Sequence, residues 1–298
     1  MKRLILSAFT GIIVALLFLF AKNICFGKIQ KPYGISGAVA MKNIDYLFLG
    51  SSCFRQGIDI KTLEGEGLEN AFLLAFNGNE PVYEIAELRS LLSAGCSIKR
   101  IYIDMNPFIA QSEPSLSDVR ILQDLDIETK QFLWNKIKSN KSNISTFYEF
   151  WCQANNEYFA TYPMTSPLIN SRYYKGGATD FKDGTTAEKL QKEADGVTLK
   201  DLNDEQLNGI RMINQLCRQN DIQLCFIEPL IYTGLQANVF YQKRIKEYES
   251  FLDKEHISYL LNDKITIDFS DATLFTNCNH ASSKGRTVFA KALMPLLR

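Results

Sequence analysis

Tyr46-Leu47-Phe48-Leu49-Gly50-Ser51-Ser52-Cys53-Phe54-Arg55-Gln56-Gly57-Ile58-Asp59 is the stretch whose reading decides the fold. Four apolar residues run into a glycine and two serines. That pattern predicts a buried strand ending in a tight turn. The small residues let the backbone bend sharply and leave a hydroxyl at the carboxyl end of the strand. In open α/β sheets, ligands bind at that end. A serine placed there can also present its own N–H to a developing oxyanion. The competing reading is a serine that merely caps the helix that follows.

Outward from this turn the same pattern repeats. Ala71 to Phe76 is a second apolar run, ending at Asn77-Gly78-Asn79. Pro81 suits the first turn of a helix, and Val82, Ile85, Leu88, Leu91 and Leu92 recur at helical spacing up to Gly95. Ile101-Tyr102-Ile103 is a third strand, ending at Asp104-Met105-Asn106-Pro107. Leu202 to Gln219 is an amphipathic helix, Ile222 to Ile227 a fourth strand, Val239 to Lys254 another helix and Ile257 to Leu261 a fifth strand. Strands alternating with helices across short turns predict a parallel sheet of about five strands. Positions 110 to 198 break the alternation and read as a helical and loop insertion of the kind that often covers a site. Gly34 to Lys42 reads as a linker.

A chain of 298 residues can bury a full core. Lys+Arg and Asp+Glu both number 33, so the formal net charge is zero. A nucleic-acid partner is therefore not expected, because phosphate neutralisation needs a basic face. Met1-Lys2-Arg3 precedes 17 uncharged residues, Leu4 to Phe20. That is the short limit for a membrane-spanning helix. A signal peptide competes for the same pattern, but no small-x-small cleavage site lies just after Phe20, Ala38-Val39-Ala40 being too far from the apolar run, and a retained anchor over 1–21 is the expectation. Lys22, Lys28 and Lys31 nearly balance Lys2 and Arg3, so charge leaves the orientation open. The seven cysteines, at 25, 53, 96, 152, 217, 225 and 278, are neither paired in number nor spaced as metal ligands. A bridge between Cys53 and Cys278 stays open.

The chain has two histidines. His256 sits at a helix end, where a surface role is expected. His280 lies in Phe275-Thr276-Asn277-Cys278-Asn279-His280-Ala281-Ser282-Ser283-Lys284-Gly285, just before a last helix from Arg286 to Leu297. An early Gly-Ser-Ser after the first strand and a late His before a final helix resemble the SGNH/GDSL hydrolase superfamily. The similarity runs from about Ile44 to Leu297, the insertion apart, and is strongest to the membrane-anchored branch associated with cell-envelope polysaccharide O-acetylation or D-alanyl transfer. It implies a flavodoxin-like three-layer α/β/α domain over 44–298, joined by a linker over 22–43 to the anchor.

The same resemblance implies Ser52 as nucleophile and His280 as base, with the oxyanion held by the N–H groups of Ser52 and Gly78 and the side chain of Asn106, or of Asn79 in its place. Where the family has Asp-x-x-His, this chain has Asn277-Cys278-Asn279-His280. Asn277 is then expected to orient the imidazole through its carbonyl without supporting its charge, unless Asp268 or Asp271 takes that place. The implied activity is an extracytoplasmic serine esterase or acyltransferase acting on acyl esters of an envelope glycan or polymer, with no metal or cofactor. The alternative is a weakly active accessory protein that binds a glycan or a membrane-bound O-acyltransferase.

Overall fold

The structure is a computed structural model that describes residues 33–109, 119–122, 124–137, 173–178 and 183–297, with positions 9–11, 13, 14 and 17 near the start. Five strands form one sheet: β1 (Asn43–Gly50), β2 (Ala71–Ala75), β3 (Ser97–Asp104), and, further along, Gln223–Ile227 and Ser258–Leu260. Their spatial order is second, first, third, fourth, fifth, and every neighbouring pair is parallel. The apolar runs explain why. Leu47, Phe48, Leu49 and all of β2 are buried, as strands covered on both faces must be.

Helices Pro81–Ser93, Asp204–Gln219 and Val239–Lys254 cover one face. Ser52–Gly57, Ile60–Gly65 and Ser283–Leu293 cover the other. The result is a three-layer α/β/α domain. Its strand order reverses between β1 and β3, and in open α/β sheets the crevice at the carboxyl ends of such a pair is the usual place for a ligand.

One expectation changes, and two fall largely outside the described residues. Gly34–Met41, read as a linker, is a helix with Ile35 and Ala38 buried against β2 and the helix Pro81–Ser93. Its two glycines and its small side chains give weak intrinsic helicity, and tertiary packing supplies the rest. The expected anchor lies mostly outside the described residues. Among the described residues no helix is long and apolar enough to cross a membrane.

Most of the expected insertion also lies outside them. Its described part contains the helices Ile127–Ile137 and Ala187–Asp195 and a hairpin, Tyr173–Tyr174 with Gly177–Ala178. That hairpin docks on the edge of the sheet, where the Leu73 N–H donates to the Lys175 carbonyl at 3.0 Å. Gly176, at φ +84°, allows the approach, because any Cβ there would overlap the Leu73 carbonyl oxygen. An open strand edge is thereby occupied.

Candidate active site

The turn after β1 assigns different tasks to its two serines. Ser51 is almost fully buried and caps the helix Ser52–Gly57, its Oγ accepting from Cys53 N–H at 3.2 Å. The capping role that competed for this motif is therefore taken by Ser51. Its Oγ also donates to Asp104 Oδ2, and its N–H donates to Asp104 Oδ1 at 3.0 Å. Ser52, one residue later, is half-buried and turned outward. Its Oγ lies 2.8 Å from His280 Nε2, across 228 positions of sequence.

Asp104 ends β3 and is the residue that sequence reasoning missed. Burial pushes its carboxyl up to about 6, and hydrogen bonds from Ser51 hold it from rising further. It ties the end of β3 to the turn after β1 and so fixes where Ser52 sits. The signal in the sequence was an acidic residue closing the apolar run Ile101 to Ile103.

His280 stands on a two-residue ladder, His280–Ala281 against Phe275–Asn277. Several contacts brace this loop. Ser282 Oγ donates to the Thr273 carbonyl at 2.7 Å and caps the last helix at Gly285 N–H, 3.0 Å away. Glu193, on the helix Ala187–Asp195, accepts from Cys278 N–H at 3.2 Å. Arg286 donates to the Ile58 carbonyl at 2.9 Å, joining the last helix to the segment after Ser52.

The far side of the imidazole meets Asn277, whose Nδ2 is 2.9 Å from His280 Nδ1. This corrects one expectation. The Asn277 carbonyl does not orient the ring, because it accepts from Asn279 N–H at 3.1 Å in a local turn. Neither upstream acid replaces it. Asp268 bonds Ser270, and Asp271 bonds Thr273 and Lys284.

The loop after β2 lies beside the Gly50-Ser51-Ser52 turn. Phe76 N–H donates to the Gly50 carbonyl at 3.1 Å, and Arg55 donates to Asn77 Oδ1 at 2.9 Å. Gly78 follows, half-exposed and at φ +61°, a conformation that favours glycine. Asn106 is buried, with Nδ2 3.4 Å from the Asn79 carbonyl and Oδ1 accepting from Phe108 N–H. An amide nitrogen carries two hydrogens, so one remains for a ligand. Tyr248 braces this loop by donating to the Asn106 carbonyl at 3.0 Å.

Asn79 does not fit its expected role. It is fully buried, with Nδ2 on Glu87 Oε2 at 2.9 Å and Oδ1 accepting from Glu80 N–H. It is turned into the domain, with no exposed amide to offer an oxyanion. Cys53 and Cys278 flank Ser52 and Asn277 as buried thiols without a disulfide, and burial pushes them up to about 12 and about 11. His256 is exposed in the turn after its helix. Among the described residues no group of three or more His, Cys, Asp or Glu side chains could hold a metal ion.

Burial, with the Arg55 charge as a second cause, lowers His280 to about 4. His280 therefore stays neutral in the folded protein well below pH 6.5, where the unfolded chain takes up a proton. The stability it confers is complete above pH 6.5 and is lost as pH falls through about 4. Asp104 has the opposite trend, its contribution being lost as pH rises from 3.8 through about 6. The ring itself separates the two: an NMR pH titration of His280 is expected to hold its midpoint near pH 4. A midpoint at pH 6.5 would contradict the burial argument.

No family model and no curated protein matches the chain. Among solved structures it is similar to a GDSL-like lipase from Bacteroides thetaiotaomicron VPI-5482, at 9% identity over 87% of this chain and 88% of that one, with a TM-score of 0.40. It is also similar to a carbohydrate acetylesterase family member from Sinorhizobium meliloti, at 10% identity over 86% of this chain and 97% of that one, with a TM-score of 0.39.

Proposed function

We propose that the chain is a serine acyl-ester hydrolase or acyltransferase of the SGNH/GDSL kind. The observation that carries this reading is the 2.8 Å contact between Ser52 Oγ and His280 Nε2 at the carboxyl end of the sheet. A serine hydroxyl is a weak nucleophile until a base within hydrogen-bond reach takes its proton, and this pair meets that distance. Ser52 Oγ bonds to the acyl carbon as its proton passes to Nε2. The carbon–oxygen bond to the leaving alcohol then breaks, and that alcohol takes the proton from Nε2. Water, or a hydroxyl of an acceptor, next attacks the acyl-serine by the same route in reverse.

The N–H of Ser52, in the first turn of its helix, has no intrahelical acceptor. With Gly78 N–H and the second hydrogen of Asn106 Nδ2, it would receive the oxyanion. These steps call on no metal or organic cofactor.

The natural substrate in this reading is an acylated cell-envelope glycan or polymer, met on the extracytoplasmic side of a membrane that the segment 1–21 enters. Support comes from the uncharged run Leu4 to Phe20 behind Lys2 and Arg3. Within it, the described side chains of Phe9, Ile13, Val14 and Leu17 are exposed rather than packed on the domain.

A fluorophosphonate probe is expected to label the wild-type chain and to leave Ser52→Ala unlabelled. Absence of labelling, together with no hydrolysis of a short acyl ester, would remove the enzymatic reading. One observation favours a second reading: the amide at 277 leaves His280 without a charged partner. On that reading the chain is a catalytically weak accessory that binds a glycan or a membrane-bound O-acyltransferase. In cells, Ser52→Ala would then leave polymer acylation unchanged while loss of the whole chain lowers it.

A further inference from the structure

We infer that Asn277, held by the backbone of Asn279, keeps His280 at rest as the tautomer protonated on Nε2, so that the imidazole donates to Ser52 instead of accepting from it. This tautomer takes its catalytic consequence from the Ser52–His280 reading, but its geometry stands without that reading. One donor has no choice. The N–H of Asn279 can only donate, and it points at one end of the Asn277 amide at 3.1 Å. That end must be the carbonyl oxygen. The other end, 2.9 Å from His280 Nδ1, is then the NH2 group, which can only donate. Nδ1 must therefore be the bare nitrogen. A neutral imidazole carries one proton, so it sits on Nε2 and points at Ser52 Oγ, 2.8 Å away. Burial keeps the ring neutral at pH 7, which leaves the two tautomers as the states in competition.

An aspartate at 277 would behave differently. Its two oxygens both accept, one from Asn279 N–H and one from a proton on Nδ1. The single change from carboxylate to amide reverses the partner that Nδ1 sees. Before Ser52 can pass its proton to His280, the proton on Nε2 must leave to solvent and another must arrive on Nδ1. The Asn277 amide must turn half a revolution so that its oxygen faces Nδ1, and Asn279 N–H loses its acceptor. Asn277 is thus a positioning residue that holds the base in its unreactive form.

The test is nitrogen NMR of the 298-residue chain labelled with 15N-histidine at pH 7, with His256→Gln assigning the two rings. His280 is expected to show a protonated, pyrrole-type Nε2 and a bare, pyridine-type Nδ1. In Asn277→Asp the proton is expected on Nδ1. A protonated Nδ1 in the wild type would overturn the inference. So would a folded Asn277→Asp protein that keeps the proton on Nε2 alone. The wild-type spectrum decides by itself if that variant does not fold. Failure of the probe to label Ser52 would strike the enzymatic reading and leave the tautomer standing.

Discussion

Asn277→Asp is expected to raise kcat/KM for a short acyl ester, by on the order of 10²–10⁴. The scale comes from serine proteases, where the reverse change at the equivalent position costs about 10⁴ in turnover because the imidazole is left in the wrong tautomer. Two effects combine here. The carboxylate accepts from Asn279 N–H and from Nδ1–H together, so Nε2 is bare and ready for the Ser52 proton. It also places a negative charge beside the imidazolium formed during attack, which the amide does not. The same charge raises the His280 pKa from about 4, so the acid limb of the pH profile moves upward. Rate and profile are expected to shift together. An Asn277→Asp protein with the wild-type melting curve and an unchanged rate would show that the charge and tautomer of this pair do not limit the reaction.

Gly50→Ala is expected to disable the turn that presents Ser52. A Cβ on Gly50 would overlap Asp104 Oδ1 and displace the carboxylate from Ser51. Three groups then lose their partners in a buried setting: the Ser51 N–H, the Ser51 hydroxyl and the Asp104 carboxylate. Breaking a buried polar network of this kind costs roughly 2–4 kcal/mol. The turn that presents Ser52 goes with it, so probe labelling is expected to fall along with the urea midpoint. Asp104→Asn tests the same tie more gently, since one oxygen still accepts from Ser51 N–H. A Gly50→Ala protein with wild-type stability and labelling would show that Asp104 does not position the turn.

Much of the fold could be read from local pattern, because a parallel sheet buried on both faces needs unbroken apolar runs. Tyr46 to Leu49, Ala71 to Ala75 and Ile101 to Ile103 are such runs, and each became the core of a strand. The helix Val239–Lys254 was also visible from its spacing. Gly34–Met41 was not, since its residues favour no structure until β2 and the helix Pro81–Ser93 give them a surface to pack on. The hairpin at Tyr173–Tyr174 was hidden for the same reason. What defines it is a hydrogen bond to the edge of β2, far earlier in the chain.

At the site the division is sharper. The sequence by itself determined that a serine would stand at the carboxyl end of the first strand and that His280 was the one histidine in a suitable loop. Residue type and strand period are local properties, and they survive in a one-dimensional reading. The resemblance had already chosen Ser52 over Ser51, and the tertiary structure supplies the physical reason: Asp104 arriving from β3 holds Ser51 as the buried cap and leaves the half-buried Ser52 facing His280. Only the tertiary structure decided which end of Asn277 meets the imidazole. The Asn279 backbone settles that choice, through a hydrogen-bond direction that no side-chain identity encodes.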